Sequence, residues 1–290
     1  MLDLKRKLGL VSRIRNSIAK FDLKSDDLGF GTYWFSGLPS DGSQNYKKLD
    51  IMRIFDVELN VLGHITVSKA INFDTDKELN LGNVFRSDIS IKQNPHGIGV
   101  SSTVLTVDQD RAYQVALLFI GRMLDVLSIK TNIPLFVTNN EIRNITEKNS
   151  AKAVIGEEEF RQCFELSRNL NLQETTLLRA LTWYRKGLYT EDAFDKFLAF
   201  WNSINVLASR YHTPNERTLL GIINQIWNCF ETLWGEDIAN WENINGDDRW
   251  INDNNEIRNN IAHGLIPVEV NYVEDVITRL ANVQKVAYRF

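Results

Sequence analysis

The sequence predicts an α+β first half followed by an all-α helical bundle, and three observations carry that reading. Residues 51 to 107 are rich in β-branched and aromatic residues interrupted by Gly, Asn and Pro, the texture of strands and turns. Beyond residue 172, apolar residues recur at three- and four-residue steps, the period of helices buried on one side. Between these regions, Asn139 to Glu159 is polar, repetitive in charge and weakly periodic, which marks a linker. The expected organisation is an α+β domain at 1–145, a linker region at 146–171 and a helical domain at 172–290. With 290 residues, 43% of them hydrophobic and 24% charged, the chain is long enough to bury a sizeable core.

In order, Leu4 to Phe21 reads as a basic amphipathic helix with Leu4, Leu8, Val11, Ile14, Ile18 and Phe21 on one side. A short aromatic run, Tyr33-Trp34-Phe35, then suggests a strand entering a loop. Met52 to Val61 and Ile65 to Phe73 read as strands joined by a hairpin turn at Gly63-His64. Asn94-Pro95-His96-Gly97-Ile98-Gly99 is a breaker cluster ahead of a third strand, Val100 to Val107. Its spaced glycines lead into a strand and lack the lysine and hydroxyl of a phosphate-binding P-loop. Ala112, Val115, Ala116, Phe119, Met123, Val126 and Leu127 form a helical stripe, and Pro134-Leu135-Phe136-Val137 a further strand.

The second half predicts five helices. Gln173 to Gly187 is the first, ended by glycine, and Asp192 to Ser209 the second. Thr213 as N-cap with Pro214 at the first helical position starts the third. Residues 235 to 249 read as a polar loop; the fourth helix begins near Trp250, and the fifth carries Val273, Val276, Ile277, Leu280, Val283 and Ala287. Short connections argue for an up-and-down bundle.

Composition narrows the function classes. The formal net charge is −4, with 19 Lys+Arg against 17 Asp+Glu in residues 1–150, and therefore 33 − 19 = 14 against 37 − 17 = 20 in residues 151–290. A nucleic-acid substrate would thus need a local positive groove rather than bulk charge. Cys163 and Cys229 are too few and too far apart for a disulfide framework or a zinc site and read as buried reduced thiols. No run has the length of a membrane span, and Leu2 to Lys20 lacks a signal peptide's apolar block; the expected location is cytoplasmic.

One stretch carries chemistry: Ile257-Arg258-Asn259-Asn260-Ile261-Ala262-His263-Gly264. Trp250, Asn254, Ile257, Ile261 and Leu265 make the buried stripe of its helix, and Asn259 and His263 fall on the opposite line with Arg258 on the flank. Gly264 is a natural C′ residue and Pro267 follows, so His263 belongs to the last turn. Histidine is an acid or base near neutral pH. A basic residue ahead of a C-terminal glycine is also ordinary capping chemistry, so spacing alone does not separate a site from a solvated helix end.

The stretch resembles the signature of the HEPN superfamily, in which an arginine followed by a polar residue is separated by four to six residues from a histidine near a helix end; Arg258, Asn259 and His263 match it with four intervening residues. The segments Leu178 to Gly187 and Asp195 to Ile204 are similar to the HEPN domains of the ApeA-like and MauJ-like groups. The resemblance implies a metal-independent, cofactor-free endoribonuclease of the toxin or phage-defence kind. It would act on RNA as a homodimer with a composite active site, without a membrane, under an activating or inhibiting protein partner, with residues 1–145 as a sensor or specificity domain that restrains it. It assigns proton transfer to His263, phosphorane charge to Arg258 and orientation to Asn259. Many such domains do not cut, which implies as the alternative a dimeric RNA- or nucleotide-binding or protein-interaction module. Where some active members carry an acidic residue on the helix Asp192–Ser209, this chain has Asn205.

Overall fold

A computed structural model of the chain describes residues 53–80, 83–138, 151–265 and 269–290. The expected helix Leu4–Phe21, the Tyr33-Trp34-Phe35 run, most of the Asn139–Glu159 stretch and Pro267 lie outside the described residues. An antiparallel sheet occupies the first half and helices the second.

The strands are β1 (Arg53–Leu62), β2 (Ile65–Thr66), β3 (Ile71–Asn80), β4 (Asn83–Asn94), β5 (Gly97–Thr106), β6 (Phe136–Thr138) and β7 (Ala153–Val154). Five of them form one sheet in the order β3-β4-β5-β1-β6, and β2 pairs in parallel with β7. Side-chain alternation decides the faces: Val57, Leu59 and Val61 of β1, Ile89 and Ile91 of β4 and Val100 and Val104 of β5 are buried, while Asp56, Glu58 and Asp88 face solvent.

The expected hairpin at Gly63-His64 is corrected. β1 pairs along its full length with β5, Arg53 opposite Thr106 and Leu62 opposite Gly97, and Ile65-Thr66 leaves the sheet. The tight turn lies instead at Pro95-His96, inside the breaker cluster, between β4 and β5. Gly97 is required there: a Cβ would stand 2.1 Å from the Val61 carbonyl oxygen, and the neighbouring Gly63 N–H donates to the His96 carbonyl at 3.0 Å.

The covered face of the sheet carries α1 (Gln109–Thr131), which lies over β1 and β5, and α2 (Glu157–Gln173), which meets β3. Asp108 caps α1, its carboxylate accepting from the Arg111 N–H at 2.7 Å. Over 23 residues α1 has the length and apolar composition of a membrane-crossing helix, which corrects the expectation that no run reaches that length; in this fold more than half of that window is buried, and Ala116, Ile120, Met123, Leu124 and Leu127 lie in the core.

The α2 helix is a second correction, because it fills most of the span read as a linker. Glu157, Glu158 and Glu159 look like loop polarity in the sequence, yet in a first turn they face the positive end of the helix dipole. Glu159 accepts the Gly156 N–H at 3.1 Å, and Phe160, Cys163, Phe164 and Leu170 join the core at helical spacing.

The remaining helices are α3 (Thr175–Tyr189), α4 (Ala193–Tyr211), α5 (Ile222–Trp234), α6 (Trp250–Ala262) and α7 (Val270–Arg289). They enclose a second core, dense in aromatic side chains such as Phe197, Phe200, Trp201, Phe230 and Trp241. α3 bridges the cores, with Leu178 in the first and Tyr184 in the second.

Gly187 does not end α3. It sits within the helix because a Cβ there would come within 2.6 Å of the Phe200 ring. Gly187→Ala should therefore destabilise the fold by about 1–2 kcal/mol, the overpacking exceeding the roughly 1 kcal/mol that alanine gains over glycine in a helix. Chemical denaturation measures this directly, and a variant as stable as the parent would mean that the ring moves aside freely.

The Thr213-Pro214 start signal also resolves differently. Asn215 and Thr218 exchange backbone-to-side-chain bonds at 2.8 and 2.9 Å around a short 3-10 turn, Thr218–Leu220, and α5 begins only after Gly221 at φ +120°. The expected polar loop at 235–249 is anchored by buried Trp241 and Ile244, the indole N–H of Trp241 donating to the Gly235 carbonyl at 2.8 Å.

Both cysteines are buried free thiols. Burial pushes the Cys163 thiol up to about 11 and the Cys229 thiol up to about 12. The thiolate is the reactive form, so iodoacetamide at about pH 8 should leave both unmodified in the native protein and alkylate both in denaturant. Mass spectrometry reads the difference, and fast native labelling would contradict the burial.

Candidate functional site

The helix that carries the motif is placed by its inner face. Trp250, Ile251 and Asn254 are buried, Ile257 and Ile261 pack on the second core, and α6 rests on α4 and α5. The Trp250 indole N–H donates to the Asn282 side-chain oxygen on α7, and the Asn254 amide donates to the Trp250 carbonyl at 2.7 Å. The first of these ties the buried side of α6 to α7, while the second stays within α6. Leu265, expected to extend the buried stripe, is 69% exposed, because the helix ends at Ala262 and the chain turns away.

That ending follows the sequence. His263 is the C-cap residue, and Gly264 adopts φ +64°. The His263 N–H donates to the Asn259 carbonyl at 3.0 Å, and the Leu265 N–H to the Asn260 carbonyl at 2.9 Å, which satisfies carbonyls that a helix end leaves open. The imidazole is exposed to solvent.

The three motif residues do not all look away from their own bundle. Arg258 is half-buried and turns inward, lining an open cleft of about 560 Å³ bounded by α3, α4 and the start of α5. Its neighbours there include Arg179, Trp183, Asn202 and Asn205. Arg258 Nη1 donates to Asn259 Oδ1 at 3.0 Å, so these two motif residues are joined. His263 is not among the cleft residues. It lies five residues further on, at the C-cap of α6, about 7.5 Å along the helix axis at roughly 1.5 Å rise per residue.

Two polar atoms of cleft-lining residues lack partners among the described residues. Arg258 Nε and Asn205 Oδ1 are both buried and have no hydrogen-bond partner. Such atoms normally find one; both are shielded from solvent, so a ligand in the cleft reaches them only where neighbouring side chains move. Arg179 adds a second guanidinium at the exposed rim. The cleft can thus hold an oxyanion between two arginines with amide groups alongside, in a chain whose overall charge is −4.

Arg179, Asn202 and Asn205 belong to the site by position in the fold. The first lies on α3, the others on α4, and Arg258 on α6. Nothing in the spacing along the chain brings them together. Arg179 carries a sequence signal only in hindsight of the packing, as an arginine on the outward face of an amphipathic helix. Compared with known proteins, the chain matches no family model, no curated protein and no solved structure.

Proposed function

We propose that the helical half is a metal-independent endoribonuclease of the HEPN type, acting as a homodimer in a toxin or phage-defence role. The observation that carries this reading is the pairing on one helix of Arg258, braced by Asn259, and a solvent-facing His263 at the helix end. A guanidinium fixed before substrate arrives can stabilise phosphorane charge without reorganising, and a free imidazole can accept a proton.

In this reaction the ribose 2′-hydroxyl attacks the adjacent phosphorus, His263 takes the hydroxyl proton, and the bond to the 5′ oxygen breaks. That oxygen leaves with a proton from the corresponding histidine of a second copy. The products are a 2′,3′-cyclic phosphate and a 5′-hydroxyl end. Since His263 does not share the Arg258 cleft, a composite site between two copies brings an arginine and a histidine to one phosphate more readily than a single chain. Leu265 and Val270, on either side of residues 266–268, are 69% and 72% exposed, and apolar exposure beside the motif suits such a contact.

The test is incubation of the purified chain with labelled mixed-sequence RNA and matching DNA in excess chelator, with end-group analysis. RNA-only cutting that leaves cyclic phosphate ends supports the reading; cutting of DNA, or cutting that stops when metal is removed, excludes it. A second reading has its own support. The cleft places Arg258 with Arg179 and the neutral Asn205 but without His263, an arrangement for holding RNA or a nucleotide rather than breaking it. RNA retained in a dimer without cleavage would favour this non-catalytic module.

A further inference from the structure

A second pocket adjoins the first across α3, sharing Thr175 and Arg179 with it, and is bounded by that helix, α1 and β6 at the join of the two cores. Its volume is about 570 Å³, in the range of small-molecule sites. Arg122, Arg179 and Arg185 line it against one carboxylate, Asp125, which leaves a surplus of 3 − 1 = 2 positive charges in an acidic chain.

Asp125 is already engaged by Arg185 and Thr182. Its Oδ1 accepts from Arg185 Nε at 2.6 Å and its Oδ2 from the Thr182 hydroxyl at 2.6 Å, while Arg185 Nη1 donates to the Leu135 carbonyl at 3.1 Å. Arg122 feels the Asp125 charge yet forms no ion pair with it, and among the described residues neither Arg122 nor Arg179 has a carboxylate within ion-pair distance. Arg122 is half-buried, and desolvation lowers its affinity for the proton. A half-buried guanidinium without a counter-ion is costly, and an anion from solution relieves that cost.

The other wall is apolar. Leu117, Leu118, Phe136, Val137, Leu178 and Tyr189 line it. Leu118 is 60% and Phe136 44% exposed, and the Phe136 ring meets Tyr189 edge-on at 5.4 Å between centroids. Exposed apolar and aromatic side chains beside unpaired arginines are suited to a ligand that is charged at one end and planar at the other. A phosphate monoester carries about −1.5 to −2 charge at neutral pH, which matches the surplus.

We propose that this pocket binds a nucleotide, with the phosphate on Arg122 and Arg179 and the base against the Leu118–Phe136–Tyr189 wall. The proposal does not depend on whether the helical half cuts RNA. The same chemistry could be supplied by a free nucleotide or by the phosphorylated end of an RNA strand, and the unpaired arginines sit in a pocket sized for one nucleotide, which favours the free form.

Calorimetric titration of the full chain tests it, with AMP and UMP, adenosine and uridine, inorganic phosphate, and a short 5′-phosphorylated RNA as separate ligands. The expected result is that the monophosphates bind and the nucleosides bind at least about tenfold more weakly, the loss expected for charge-assisted contacts. Arg122→Gln and, independently, Leu118→Glu should each weaken monophosphate binding about tenfold or more while keeping the ligand-free melting temperature. Leu118 is exposed, so its replacement tests the site without disturbing the core. The proposal is overturned if no monophosphate binds the parent protein, if both variants bind with parental affinity, or if inorganic phosphate binds as tightly as the nucleotides. Binding of the 5′-phosphorylated RNA without any binding of free monophosphates overturns the free-nucleotide assignment.

Discussion

His263→Ala is expected to reduce RNA cleavage by about two to four orders of magnitude, the usual contribution of a general acid or base, with the fold intact. The side chain is exposed at the C-cap of α6, and the backbone bonds that close the helix involve its N–H, not its imidazole. Loss of favourable charge at a helix end costs about 0.3–1 kcal/mol at most surface sites, too little to unfold the chain. Arg258 behaves differently. It is half-buried, bonded to Asn259 and set among α3 and α4 side chains, so Arg258→Ala should lower both activity and stability. Arg258→Lys keeps the charge but loses the planar fork that reaches Asn259. A folded His263→Ala protein that cuts RNA at the parental rate would end the nuclease reading, whereas unchanged RNA binding with cleavage lost would separate the chemistry from the binding.

Much of the motif helix was legible because its determinants are local. The stripe from Trp250 to Ile261, the C-terminal glycine and the position of His263 all follow from helical period and left-handed backbone preference within one stretch, and Gly264 at φ +64° behaves as that preference requires. The sheet was legible only as texture. β1 pairs with β5, some forty residues along the chain, and no feature of the Gly63-His64 pair distinguishes an exit from the sheet from a hairpin within it. The α2 helix was hidden because Glu157 to Glu159 read as loop polarity until the dipole they face is in place. Gly187 reads as a terminator in the sequence because its real constraint, the Phe200 ring, comes from another helix. The direction of Arg258 was not legible for the same reason. Helical wheel geometry places it on a flank, and only the neighbouring α3 and α4 decide that the flank faces a cleft.

Arg185→Met should cost about 3–5 kcal/mol, the effect of stranding one member of a buried ion pair. Asp125 lies on α1 and is 3% exposed, Arg185 lies on α3 and is 8% exposed, and their bond joins the helix of the sheet core to the helix that bridges both cores. Burial already pushes the Asp125 carboxyl up, against the pull of Arg185 and the Thr182 hydroxyl. Without Arg185 the largest opposing influence is gone, and the carboxyl rises further. Its folded value then stands above the unfolded value of about 3.9, so the folded state holds the proton more tightly and the group is best tolerated below that value. The variant's deficit should accordingly shrink as pH falls and reach its full size once pH has risen through the folded value. Urea denaturation of both proteins from about pH 4 to 8 tests the sign. Asp125→Leu combined with Arg185→Met should recover most of the loss, since replacing both partners removes the stranded charge. A deficit below about 1 kcal/mol at pH 7 would mean that water reaches the carboxylate and that the pair does not fix α3 against α1. A large deficit that the double variant repairs would place the join between the two cores at this pair.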